Sequence, residues 1–121
     1  MGATVRSYRD LIAWQKAMDL AVAVYKATDT FPRGEMYCLA GQMRRAATSV
    51  PSNIAEGQGR GATKEYLRFL RIARGSVQEL ETQLILAHRL GYVPQPTVDR
   101  LLADAVEVSR IVSGFARSLG G

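Results

Sequence analysis

At 121 residues and 13.3 kDa the chain has the length of one domain, residues 1–121, and its 47% hydrophobic content is enough for a modest core and too apolar for a disordered polymer. No stretch approaches the roughly 18 consecutive apolar residues of a membrane span, and Cys38, standing alone, leaves no disulfide framework and no cysteine-based metal site. The net charge of +5 is concentrated: Arg44, Arg45, Arg60, Lys64, Arg68, Arg71 and Arg74 face only Glu56 and Glu65 between positions 44 and 74, an excess equal to that of the whole molecule.

A small domain buries a smaller share of its surface than a large one, so self-association is expected. The opening "MGATVRSYRDLIAWQ" carries charges where a signal peptide needs its apolar stretch, and Arg6 stands where a myristoylation signal needs Ser or Thr. A reducing, cytoplasmic setting fits the lone cysteine best.

Four helical patterns follow in chain order, and no strand-like alternation of useful length competes with them. The first spans about residues 9–27, where Trp14, Ala17, Met18, Ala21, Val24 and Tyr25 recur at helical spacing. Ile12 and Val22 fall outside that stripe and hint at a second buried surface. "TDTFPRGE" breaks the pattern with Pro32 and Gly34.

The second helix is expected from near Glu35, its apolar face made by Met36, Leu39, Ala40, Met43, Ala46, Ala47 and Val50. Pro51 lacks an N–H and crowds the carbonyl four residues back, so a kink is expected around residues 47–50. Gly57, Gly59 and Gly61 then read as its end.

The third helix opens at Thr63, a plausible N-cap, and runs about 27 residues, roughly 40 Å at 1.5 Å per residue. Tyr66, Phe69, Leu70, Ala73, Val77, Leu80, Leu84 and Ala87 gather on one side; Lys64, Arg68, Arg71 and Arg74 form a stripe on the other. Gly91, with Pro94 beyond it, suits a left-handed C-cap. In the fourth pattern, from near Thr97, Val98, Leu101, Ala105, Val108, Val112, Phe115 and Leu119 repeat at alternating spacings of three and four. Short connections favour antiparallel neighbours, so the expected fold is an all-α, antiparallel four-helix bundle with a kinked second helix.

Residues 49–61, "SVPSNIAEGQGRG", are the one stretch that resembles a phosphate loop. "GQGRGATK" supplies neither the Walker A spacing nor GxGxxG, and no strand precedes it. Three glycines beside Arg60 could still present N–H groups to an anion, but a helix end followed by a turn is the plainer reading. His88 is the only histidine, so a histidine metal site or a serine–histidine pair has too few parts; Glu79 and Glu81, two apart on a helix, diverge. No catalytic residue, cofactor site or metal site is expected.

The basic stripe is the remaining functional feature. Arginine's planar fork suits phosphate, and cations one turn apart can follow a sugar–phosphate backbone without reading bases. A solvated helix face is the bland alternative. The candidate nucleic-acid-binding residues are Arg44, Arg45, Arg60, Lys64, Arg68, Arg71 and Arg74.

The segments "DLIAWQKAMDLAVAVYKATDTFP", "MRRAATSVPSNIAEGQGR", "KEYLRFLRIARGSVQELETQL" and "AHRLGYV", together covering about residues 8–93, resemble a family of small bacterial four-helix bundles first named for intervening sequences in large-subunit ribosomal RNA genes. The accessory variability protein of diversity-generating retroelements is similar. That resemblance implies a homopentameric barrel whose positive surface, at the seven cations just named, contacts RNA or DNA and a reverse transcriptase. It also leaves room for Asn53 and Glu56 as polar anchors between subunits. A protein-binding scaffold, its basic patch meeting an acidic surface, is the alternative; a phosphate-dependent enzyme built on the glycine turn is the third.

Overall fold

The computed structural model describes residues 7–121; the expectations about a leader or a lipid anchor at residues 1–6 lie outside that range. A 3-10 turn, Tyr8–Asp10, opens the described residues, with Ser7 and Asp10 forming a capping box: Arg9 N donates to Ser7 Oγ at 3.0 Å and Ser7 N to Asp10 Oδ2 at 3.3 Å. Helix α1 spans Ile12–Thr28, α2 Leu39–Gly59, α3 Thr63–Arg89 and α4 Gln95–Ser118.

Each helix packs on two others. α1 and α3 lie against α2 and α4, while among the described residues the diagonal pairs, α1 with α3 and α2 with α4, do not bring their Cα atoms within 8 Å. Connections this short force consecutive helices to run antiparallel, and the result is an up-down-up-down four-helix bundle. Leu20, Met43, Ile54, Leu70, Leu80, Leu84 and Leu101 are fully buried where the four meet. Each such side chain contributes about 1.5–3 kcal/mol of burial.

Several boundaries differ from expectation, each for a local reason. Glu35 belongs to a 3-10 turn, Arg33–Glu35, and α2 starts only at Leu39, because the chain first folds back over the first turn of α2. Gly41 permits that approach: a Cβ there would lie 2.8 Å from the Met36 carbonyl oxygen. Glu35 still serves the helix start, its Oε1 accepting from Leu39 N at 3.4 Å. Pro51 is buried inside α2 without ending it, and α2 continues past Gly57 until the left-handed Gly61 (φ 79°) turns the chain. Ala62, not Thr63, is the N-cap of α3, and α4 begins at Gln95, so Thr97 is already helical.

On α1 the buried side is Ala13, Ala17, Leu20, Ala21, Val24 and Thr28. Met18 and Tyr25, assigned to the apolar face by spacing, are exposed, as are Ile12 and Val22.

The far end of the bundle is tied by side chains. α3 closes in a Schellman motif, Tyr92 N donating to Ala87 O at 3.0 Å and Gly91 N to His88 O at 2.9 Å, with Gly91 at φ 81° as the sequence predicts. Tyr92 Oη donates to Glu35 Oε2 at 2.9 Å, joining the α3–α4 connection to the α1–α2 connection, and its ring lies 5.3 Å from that of Phe31. His88 Nδ1 donates to Val93 O at 2.8 Å, since a carbonyl can only accept, and this gives the histidine a structural role.

At the other end Tyr66 packs edge-on against Phe115, centroids 5.3 Å apart, and its buried hydroxyl has no hydrogen-bond partner among the described residues. Burial pushes its phenol up to about 12 from 10.0. With the folded-state value raised, the unfolded chain releases this proton first. Stability is therefore complete below pH 10 and declines as pH rises toward about 12. Tyr66→Phe removes both the phenol and the unpaired hydroxyl. It is expected to raise stability by about 1 kcal/mol at neutral pH and to flatten the alkaline decline, as read by thermal denaturation across that window.

Candidate nucleic-acid interface

The sequence-predicted cations sit on the α2–α3 hairpin, whose register is fixed by two contacts. Ser49 Oγ lies 2.9 Å from Ser76 Oγ, and Gly57 abuts Tyr66 and Phe69, so α2 and α3 run antiparallel and draw closest near the Gly61 turn. Asn53 belongs to the same seam: its Nδ2 donates to Ser49 O at 2.8 Å and to Ser49 Oγ at 2.9 Å. Asn53 therefore anchors α2 within its own chain, whereas Glu56 is exposed.

Arg60, Lys64, Arg68, Arg71 and Arg74 are all exposed. At 100° per residue, Lys64, Arg68 and Arg71 fall within about 60° of azimuth on α3, and Arg74 extends the row to about 15 Å of rise. Arg60 comes from the end of α2 and joins this row through Phe69. The Arg60 guanidinium lies 5.1 Å and that of Arg68 4.7 Å from the centroid of the Phe69 ring. Two cations are thus held side by side by one aromatic ring, each contact contributing about 0.5–1 kcal/mol at such an exposed site. Arg68 also pairs with Glu65 at 3.4 Å, an exposed i,i+3 contact worth a few tenths of a kcal/mol.

Two of the seven cations stand apart. Arg45 is exposed but lies one turn beyond Ser49 on α2, about 6 Å from the level of Ser76 and away from the turn. Arg44 is only 19% exposed and faces α1. Its Nε donates to Thr28 Oγ1 at 2.8 Å, one terminal nitrogen to Asp29 Oδ1 at 2.8 Å and to Tyr25 O at 3.3 Å, and its guanidinium lies 4.7 Å from the Tyr25 centroid. Its donors are committed within the chain.

One cation escaped the sequence reading. Arg89 is exposed and lies five full turns beyond Arg71, on the same line of α3. An 18-residue spacing, which returns to the same azimuth, is the signal that could have found it. Between the two the face changes character, with Ile85 and Leu86 exposed.

A second surface feature lies elsewhere, a groove of about 650 Å³ between α1 and α2 lined by Trp14, Met18, Val22, Tyr25, Pro51 and Ala55. Among the described residues no three His, Cys, Asp or Glu side chains are grouped as metal ligands would be. No helix among them is long and apolar enough to cross a membrane.

The family model of the 23S rRNA-intervening sequence proteins matches residues 9–114, nearly the whole bundle. The chain belongs to the 23S rRNA-intervening sequence protein family. A crystal structure of a protein with unknown function from the S23 ribosomal protein family of Bacteroides thetaiotaomicron is similar, with a TM-score of 0.81 over 88% of this chain and 96% of that one. At 20% identity that likeness carries the fold, and it agrees with the all-α bundle read from the sequence. No curated protein matches the chain. Membership in the 23S rRNA-intervening sequence proteins thus accounts for the bundle, while the basic row must be read from its own chemistry.

Proposed function

We propose that this 23S rRNA-intervening sequence protein is a non-enzymatic bundle that binds nucleic acid through the cations of the α2–α3 hairpin and works as a homo-oligomer. The observation that carries this reading is the row of Arg60, Lys64, Arg68, Arg71 and Arg74, all solvent-facing and, among the described residues, relieved by a single exposed ion pair. Such a row releases counterions on meeting phosphates, a driving force that needs no base contact.

Oligomerisation draws on a different surface. The apolar groove lies on α1 and α2, and α1 is diagonal to α3, so subunits joined there would keep the α3 row outward. A head-to-tail contact at this groove, repeated with a rotation that closes, gives a ring, and the resemblance to the retroelement accessory protein implies five subunits. Five copies of a modest patch multiply avidity without any new contact. The same resemblance implies a reverse transcriptase as the protein partner that such a complex would serve.

The test is a fluorescence-anisotropy titration of short nucleic acids at several salt concentrations, with oligomeric state measured in parallel by native mass spectrometry. Binding is expected to weaken steeply with salt. The combined variant Arg68→Gln, Arg71→Gln, Arg74→Gln is expected to lower the log–log slope by about 2–3, three phosphate contacts at roughly 0.7–0.9 each. No binding at low salt would overturn this reading and favour a scaffold whose basic patch meets an acidic protein surface.

A further inference from the structure

We infer that the basic row takes the paired backbone of a double helix and not the bases of a single strand; the inference rests on the nucleic-acid reading above. Proteins that hold single strands combine cations with exposed aromatic rings on which successive bases stack, each worth about 1–3 kcal/mol. The row offers no such platform. Its aromatic neighbour Phe69 is 5% exposed and is covered by the guanidinium groups of Arg60 and Arg68. Tyr66, one turn away, turns inward against Phe115.

What remains is a stiff array of charge. Lys64, Arg68, Arg71 and Arg74 stand on one unbroken 27-residue helix, and Arg60 is held to that helix by the shared ring. Fixing the guanidinium groups against Phe69 before binding reduces the side-chain freedom lost on contact, so a ligand with an equally fixed array of phosphates gains most. A duplex provides one, with one charge per about 1.7 Å of axis against about 3.4 Å for each strand. A single strand has half that density and must itself be ordered.

α3 packs against α2 and α4, which leaves its outer strip to meet a ligand, and cations one turn apart on that strip suit contacts to phosphates, which carry no base sequence. Binding is therefore independent of base sequence, and an A-form and a B-form duplex are both admissible.

The deciding experiment compares labelled 20-mers as single strands and as duplexes, in DNA and in RNA, titrated with the full chain at several salt concentrations. The expected result is affinity for duplex at least about tenfold above that for either component strand, with a steeper salt slope for the duplex. Equal or tighter binding of the single strand would overturn this inference and leave the nucleic-acid function standing. Absence of binding to every 20-mer at low salt would overturn the nucleic-acid function itself. The variant Phe69→Leu supplies a second readout: because the ring is a support for Arg60 and Arg68, duplex affinity falls and single-strand affinity stays as it was. Selective loss of single-strand binding would identify Phe69 as a stacking surface and sink the proposal.

Discussion

Gly57→Val is expected to lower the stability of the bundle by about 3 kcal/mol, the upper end of the usual range for forcing volume into a packed site. Gly57 is buried at the closest approach of α2 and α3, and a Cβ there would sit 2.9 Å from the Phe69 Cβ and 3.0 Å from the Tyr66 Cδ1. A Cβ moves only with its backbone, so Phe69 cannot swing aside and the helices must part. Gly75→Ala is the matched opposite. Gly75 is mid-helix and exposed, with nothing within 4 Å of an added Cβ, so the substitution is expected to raise stability by about 1 kcal/mol through helix propensity alone. Thermal denaturation followed by far-ultraviolet circular dichroism separates the two, at roughly 4 °C per kcal/mol for a domain of this size. A Gly57→Val protein as stable as the parent would mean that the hairpin is looser than described.

Arg44→Ala is expected to destabilise the bundle by about 2 kcal/mol while leaving nucleic-acid affinity close to that of the parent. The side chain bridges α2 to the end of α1, and its best hydrogen bond is to Thr28, which is fully buried. Hydrogen bonds to a charged group contribute about 1.5–3 kcal/mol, and Asp29 adds little because it is 73% exposed. Arg71→Ala should behave the other way, weakening binding and leaving stability within about 0.5 kcal/mol, as exposed substitutions do. The pair is read by urea denaturation and by anisotropy on the same preparations. If Arg44→Ala weakened binding as much as Arg71→Ala does, Arg44 would belong to the interface after all.

The contrast between these two arginines shows what sequence could and could not convey. α3 is legible because its apolar and basic residues occupy separate faces, and Leu70, Ala73, Val77, Leu80, Leu84 and Ala87 are buried as their spacing predicts. α1 is not, because apolar side chains occupy nearly every position between 11 and 25, and periodicity then cannot say which side faces inward. The choice is made by neighbours: Ala13, Ala17 and Ala21 face inward with Leu20, and the larger Trp14, Met18 and Tyr25 are left to line a groove. Arg44 and Arg45 are indistinguishable by type, and only the placement of Thr28 and Asp29 at the facing end of α1 separates them. Gly57 read as punctuation because glycine commonly ends helices, whereas here it brings two helices together and Gly61 makes the turn.

Phe69 ties together two properties that are usually independent. One face of its environment is the glycine of α2, and the other is the pair of guanidinium groups exposed to solvent. Whatever spreads the hairpin must also scatter its outermost charges, so fold stability and electrostatic pattern cannot drift separately at this end of the molecule. A substitution that shifts this ring is therefore expected to show both in a melting experiment and in the salt dependence of binding. Natural variation at positions 57, 60, 68 and 69 is accordingly expected to be correlated, with loss of the ring accompanied by loss of at least one of the two arginines.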